Sequence, residues 1–258
     1  MSDGTTRTGL LVPGLFFGLR DDPPALAALQ TLADMKDIGD PRSPWFMSDN
    51  LITFNHTRGF LSEQRFVKAV IAAHPAPSER SIAWRTHTLC WAADSALTLP
   101  GDFVECGTYK GYSAEVLMRY TGGLPGKRLW LYDLFDPTGG PGEGPRQPGH
   151  AADLADRVRA RFQAWDNVTV TKGKVPDVLA EAAPEQIAFL HIDMNNAEAE
   201  RGALEVLFDR VSPGGMIVFD DYGWTYYRAQ MDVVDAFMAA RGLRVLELPT
   251  GQGLVVKR

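Results

Sequence analysis

The chain has 258 residues, enough for one α/β domain with additions or for one large and one small unit. Hydrophobic residues make up 45% and charged residues 22%, an ordinary balance for a soluble globular protein, and a formal net charge of −6 gives a nucleic-acid partner no electrostatic support. Two cysteines, Cys90 and Cys106, are too few for a disulfide framework, so a reducing cytoplasm is the expected compartment.

The polar start MSDGTTRTG is followed by LLVPGLFFGL, an apolar run broken by Pro13 and Gly14. It is too short to span a bilayer and lacks the basic start and small-residue cleavage site of a signal peptide. It reads as a segment packed on the core or on a second subunit; a homo-oligomer is expected and a membrane partner is not. Helices are predicted at 23–38, 61–74 and 81–99, the first opening on prolines after Asp21 and Asp22. The aromatic and turn-rich stretch PRSPWFMSDNLITFNHTRGF between the first two reads as irregular. Residues 1–80 thus form a helical N-terminal cap or lid region, and 81–258 a second domain.

From residue 101 the rhythm alternates. Strands are expected in DFVEC (102–106), RLWLYDLF (128–135), VTVTKG (168–173), IAFLHID (187–193), GGMIVFDDY (214–222), LRVLELP (243–249) and GLVVKR (253–258). Helices are expected at 112–120, 151–165, 197–211 and 229–242. The stretch DPTGGPGEGPRQPG (136–149) reads as a mobile lid loop. The fold class is therefore α/β: a doubly wound, mainly parallel, seven-stranded Rossmann-like sheet. Its last two strands are joined only by TGQG, too short for a parallel crossover, so the sheet ends in an antiparallel hairpin.

Three constellations carry chemistry. In VECGTYKGYS, Glu105 ends the first strand, and Gly107 and Gly111 hold a turn that opens into a helix, where a ligand can approach backbone N–H groups. The spacing is not the Gly-x-Gly-x-x-Gly of pyrophosphate binders, which argues against a nicotinamide oxidoreductase. Asp133 ends the second strand, 26 residues after Gly107, where an acid can accept both hydroxyls of a ribose. Asp193 ends the fourth strand, and Asp220 and Asp221 the fifth. Parallel neighbours deliver these carboxylates to one edge, where they need a cation or protons, and hard oxygen ligands favour Mg²⁺ or another divalent ion. Asn196 offers an amide oxygen. His191, two residues before Asp193, shares its strand face and is read as a base, a supporting group or a satisfied core histidine. His56 and His87 are further groups that could meet substrate; His74 and His150 read as surface positions.

Together these segments resemble the class I S-adenosylmethionine-dependent methyltransferases. GDFVECGTYKGYSAEVLM, HIDMNNAEAERGALEVLFDRVSPGGMIVFDDYGW and the terminal hairpin resemble the macrocin O-methyltransferase family, which methylates sugar hydroxyls in antibiotic pathways. The resemblance covers about 101–258. It implies S-adenosylmethionine and a divalent metal, usually Mg²⁺, as cofactors. It implies Asp193, Asp220 and Asp221 as metal ligands, Glu105, Gly107 and Gly111 near the methionine part, and Asp133 on the ribose. Tyr109, Ser113, Lys174, Val175 and Asp193 complete the candidate cofactor contacts. Asp193 is the expected catalytic base, with His191 in reserve, and the expected substrate is a small sugar or glycoside. Metal-dependent catechol methyltransferases share the plan but carry a lysine three residues after the strand-four acid, where this chain has Asn196. The alternatives are a catechol or phenol O-methyltransferase and a non-catalytic S-adenosylmethionine-binding protein. The chain also departs from the family in reading DMNNAEA where DLYES is common.

Overall fold

The computed structural model describes residues 22–36, 43–138, 149–180 and 182–258. The apolar run at 10–19 and most of the expected lid loop, 139–148, lie outside the described residues. The chain divides into two compact units, Met1–Thr88 and Leu89–Arg258.

In the first unit, α1 (Pro23–Met35) starts where expected: Asp22 caps it by accepting from the Ala25 N–H at 3.0 Å, and prolines occupy its first turn. The expected irregular stretch instead contains a hairpin of β1 (Trp45–Ser48) and β2 (Leu51–Phe54). Its turn residues, Asp49 and Asn50, have φ of 54° and 56°, the left-handed pair a two-residue hairpin loop requires. Both residue types tolerate that conformation. The Asp49 carboxylate is buried and bidentate on Arg85, at 2.6 and 3.0 Å, which secures the turn from a distant helix. Helix α2 (Gln64–Ala72) starts later than expected, after a 3-10 turn at Gly59–Ser62. The expected 81–99 helix is α4 (Ala83–Ala96), and a short helix that was not expected, α3 (Pro77–Ser81), precedes it.

The second unit is built on a seven-stranded sheet. Its strands are β3 (Asp102–Cys106), β4 (Leu129–Asp133), β5 (Val168–Lys172), β6 (Ile187–Ile192), β7 (Val211–Phe219), β8 (Leu246–Glu247) and β9 (Gly253–Val256). Their order is β5-β4-β3-β6-β7-β9-β8. The first five run parallel; β9 pairs antiparallel with both β7 and β8, so the chain ends in the expected hairpin. The two-residue β8 closes the sheet as an exposed edge too short to template further pairing.

Side chains alternate between two cores. Phe103, Leu129, Leu131 and Phe189 face a core shared with α4, α5 (Tyr112–Tyr120) and α6 (Leu154–Phe162). Val104, Tyr132, Leu190, Ile192, Ile217 and Phe219 face the other, with α7 (Ala197–Leu207) and α8 (Arg228–Ala239). A register shift between Ile187 and Phe189 lets Ala188 and Phe189 share one core while Ile187 and Leu190 share the other. In α6, Leu154, Ala155, Val158 and Phe162 make the buried stripe of an amphipathic helix. The direction of winding reverses between β3 and β6, so the crevice at their carboxyl ends is where ligands of open α/β sheets bind.

Candidate active site at the carboxyl edge of the sheet

Gly107 follows β3 with φ +97°, and a Cβ there would lie 1.7 Å from the carbonyl oxygen of Asp193. Only glycine lets the β3 turn and the end of β6 come this close. Their backbones are tied at the same point: the Asp193 N–H donates to the Cys106 carbonyl at 2.8 Å. Gly111, also left-handed, is the N-cap of α5. Tyr109 between them has φ +49°, and its N–H donates to Asp133 Oδ2 at 2.6 Å. Asp133 Oδ1 accepts from the Phe135 N–H at 2.6 Å. Asp133 thus pins the turns after both strands. A carboxylate has about four acceptor sites, so two backbone donors leave capacity for hydroxyls of a bound ribose. Side-chain-free glycine in the turn, an uncapped helix start and this half-buried acid suit an adenosine-type ligand.

The other candidates for cofactor contact separate. Ser113 is half-buried in the first turn of α5. The ring of Tyr109 packs on His150 at 5.0 Å and lies under Lys110 Nζ at 4.9 Å. Lys174 is exposed after β5. Val175 is buried among Val104, Tyr132 and Leu204, so its side chain serves the core and not the crevice. Among the histidines, His56 and His74 are exposed and His87 stacks on Phe60 at 4.9 Å, while burial lowers the His87 pKa against the raising effect of Glu63.

On the other side of the crevice the polar groups pair with one another. His191 stands opposite Glu105 in the parallel ladder and is 2% exposed. Its Nδ1 lies 2.9 Å from Glu105 Oε2, and its Nε2 faces Asp220 Oδ1 at 3.6 Å. Burial by itself would lower the imidazole pKa, but Asp220 and Glu105 outweigh it and raise it to about 10. His191 is therefore a buried cation between two carboxylates. In that protonated form His191, the reserve base expected from sequence, donates to Glu105 and faces Asp220, so Asp193 stays the first candidate for the base. Gln252, fully buried, donates from Nε2 to Asp220 Oδ1 at 2.9 Å and accepts from Thr250 Oγ1 at 2.9 Å. Sequence reasoning missed Gln252. Its only local signal is a polar residue inside a glycine turn, and its partner lies on another strand.

Asp193 and Asp221 are half-buried at the ends of β6 and β7. The metal site expected from the three acids does not fit what is found. Among the described residues no group of three or more His, Cys, Asp and Glu side chains is placed to hold a metal ion. Asp220 faces His191 at 3.6 Å and accepts from Gln252 at 2.9 Å, while the same imidazole bonds Glu105, so one cation stands against two carboxylates. Asn196 is not turned to the acids either: its Oδ1 caps α7 by accepting from the Ala199 N–H at 2.9 Å.

Comparison with known proteins matches residues 90–246 to the family described as Macrocin-O-methyltransferase (TylF). One relative, the 8-demethyl-8-(2,3-dimethoxy-alpha-L-rhamnosyl)-tetracenomycin-C 4'-O-methyltransferase of Streptomyces olivaceus, is 33% identical over 48% of this chain and 54% of its own. The demethyldecarbamoylnovobiocin O-methyltransferase of Streptomyces niveus is 29% identical over 53% of this chain and 62% of its own. The chain therefore spans less than two thirds of the length of either. The solved structure of the O-methyltransferase NovP superposes with a TM-score of 0.58 at 21% identity, over 72% of this chain and 85% of that one. The sheet order and terminal hairpin are those of that methyltransferase fold. Among the described residues no helix is long and apolar enough to cross a membrane.

Proposed function

Because the chain belongs to the macrocin-O-methyltransferase family, we propose that it moves the methyl group of S-adenosylmethionine to a hydroxyl of a sugar or of a glycosylated small molecule. The observation that carries the reading is the backbone contact between Gly107 and Asp193 at the topological switch point. It sets the glycine turn suited to a nucleoside beside an acid suited to the acceptor. The names of the relatives, which point to a rhamnosyl tetracenomycin and to demethyldecarbamoylnovobiocin, support the acceptor class.

Bound S-adenosylmethionine supplies an electrophilic methyl on a sulfonium. The work of the chain is to hold the cofactor, to orient the acceptor and to take one proton. The turn Gly107–Gly111 offers backbone N–H groups, and Asp133 offers acceptor capacity to the ribose. Asp193 takes the hydroxyl proton as the methyl moves, with its half-buried carboxylate at the carboxyl end of β6. A sugar hydroxyl is a weak nucleophile at neutral pH, so alignment of oxygen, methyl and sulfur supplies much of the acceleration. Glu105 and Asp220 are committed to His191 and are not free to serve as the base.

The test is transfer of isotope-labelled methyl from S-adenosylmethionine to an α-L-rhamnoside, with catechol as the competing acceptor class. Labelled rhamnoside from wild type and loss of label with Asp193→Asn are expected. Labelled catechol alone would move the protein to the phenol branch; S-adenosylhomocysteine binding with neither product labelled would favour a non-catalytic binder. An arm with EDTA reads metal dependence. Loss restored by Mg²⁺ would require Asp193, Asp220 and Asp221 to gather on binding; unchanged turnover would match the pairing of Asp220 with His191.

A further inference from the structure

In the sequence TGQG is a connector between the last two strands; in the structure it clamps an acid 32 positions away. The ladder between β7 and β9 pairs Phe219 with Gly253, so Asp220 and Gln252 stand at the next cross-strand position. Two backbone features lock the turn there. The Gly223 N–H donates to the Gly251 carbonyl at 2.7 Å. The Trp224 indole lies so close to Gly251 that a Cβ would come 2.3 Å from its Nε1. The direction of the side-chain bonds is forced. A carboxylate only accepts, so Gln252 must present its amide nitrogen to Asp220 and its oxygen to the Thr250 hydroxyl. Gln252 is 0% exposed and Asp220 6%, so water does not compete for these groups.

We propose that Gln252 is a positioning residue of the active edge, by which the C-terminal hairpin fixes the Asp220 carboxylate against His191 and holds the end of β7 beside Asp193. The role rests on the methyl-transfer reading above. The chain Thr250–Gln252–Asp220–His191–Glu105 crosses the sheet from the hairpin to β3. Gln252 is the link that reaches in from outside the parallel strands. Without its N–H the Asp220 carboxylate loses its 2.9 Å hydrogen bond to the hairpin, and the His191 contact of 3.6 Å, longer than a hydrogen bond, holds it less firmly.

Gln252→Leu removes the donor at similar size; Gln252→Glu keeps an acceptor for Thr250 but sets a like charge against Asp220. Turnover of the rhamnoside, S-adenosylhomocysteine affinity by calorimetry and a crystal structure of Gln252→Leu read the effect. In both variants kcat per folded protein should fall roughly tenfold or more, while acceptor KM and S-adenosylhomocysteine Kd stay within about twofold. Gln252→Leu added to Asp220→Asn should cost no further kcat, because Gln252 acts through that carboxylate. The crystal structure should show Asp220 turned from His191. Thr250→Val removes only the outer bond and should give the same split at smaller size, which keeps the test open if Gln252→Leu fails to fold. A purely structural role would lower the melting temperature and leave kcat per folded protein unchanged; that result, or Asp220 unmoved in Gln252→Leu, overturns the proposal. A wild type that binds no S-adenosylhomocysteine and labels nothing fails the methyl-transfer reading instead, and the position of Asp220 in Gln252→Leu then decides the role of Gln252.

Discussion

The two sides of the crevice satisfy their polar groups in opposite ways. Where β3 meets β4, Asp133 accepts from backbone N–H groups of Tyr109 and Phe135, and a glycine carries the closest approach. Where β3, β6 and β7 meet, side chains answer side chains: Glu105, His191, Asp220 and Gln252, all buried. The first side is made by chain geometry and is vulnerable to an added Cβ. The second is made by charge and is vulnerable to a missing partner. Ligands can add to the acceptor capacity of the first; the second ties its buried side chains to one another, which suits it to hold a shape while chemistry happens at its rim.

Adding bulk on the first side should have the largest effect. Gly107→Val places a branched side chain at φ +97°, where even the Cβ overlaps the Asp193 carbonyl, so a loss of about 4–5 kcal/mol or no folded protein is expected in urea denaturation. Wild-type stability would mean that the two turns do not touch. Removing a partner on the second side comes next. His191→Leu leaves two carboxylates buried without their cation, at a cost of about 3–5 kcal/mol by the same measurement. His191→Gln, which can still donate to one of them, should recover part of that. An unaffected His191→Leu would make the charge pairing irrelevant to the fold.

Asp133→Ala should weaken S-adenosylhomocysteine binding by about 1–3 kcal/mol in calorimetry, through lost charge-assisted hydrogen bonds. Undiminished affinity would move the nucleoside away from this side. The smallest effect is a pH slope. The folded pKa of His191 is raised, so its contribution to stability is complete below the ordinary imidazole value of 6.5 and is lost as pH rises through about 10. The melting temperature of wild type should fall over that window, and that of His191→Gln should fall less. Equal slopes would show that His191 does not hold its proton in the fold.

The same contrast explains what the sequence could disclose. The turn after β3 was legible because it is local: a short apolar run, two glycines and a helix follow in order, and α5 spans Tyr112–Tyr120 as expected. The fate of the acids was not. The sequence places Asp193, Asp220 and Asp221 at strand ends, but the partners of Asp220 come from β6 and from a hairpin 32 residues on. Repulsion between three acids is the natural inference until a buried histidine, held toward its charged form, is found beside one of them. The hairpin of β1 and β2 was hidden for a related reason. Its strands have four residues each, its turn is Asp-Asn with no glycine, and its anchor, Arg85, lies 36 residues away. Strand periodicity needs length to show, and a distant salt bridge leaves no local mark.

The division of labour can be read most directly from single-turnover methyl transfer to the rhamnoside, with S-adenosylmethionine varied, in wild type, Asp133→Ala and Asp193→Asn. Asp133→Ala should raise the apparent Kd for S-adenosylmethionine by roughly 5- to 150-fold while the rate at saturation stays within about threefold. Asp193→Asn should leave that Kd nearly unchanged and lower the saturated rate by roughly 10²- to 10⁴-fold, the usual worth of a general base. Both variants changing the same parameter, or Asp193→Asn reacting at the wild-type rate, would contradict a crevice that binds the nucleoside on one side and takes the proton on the other.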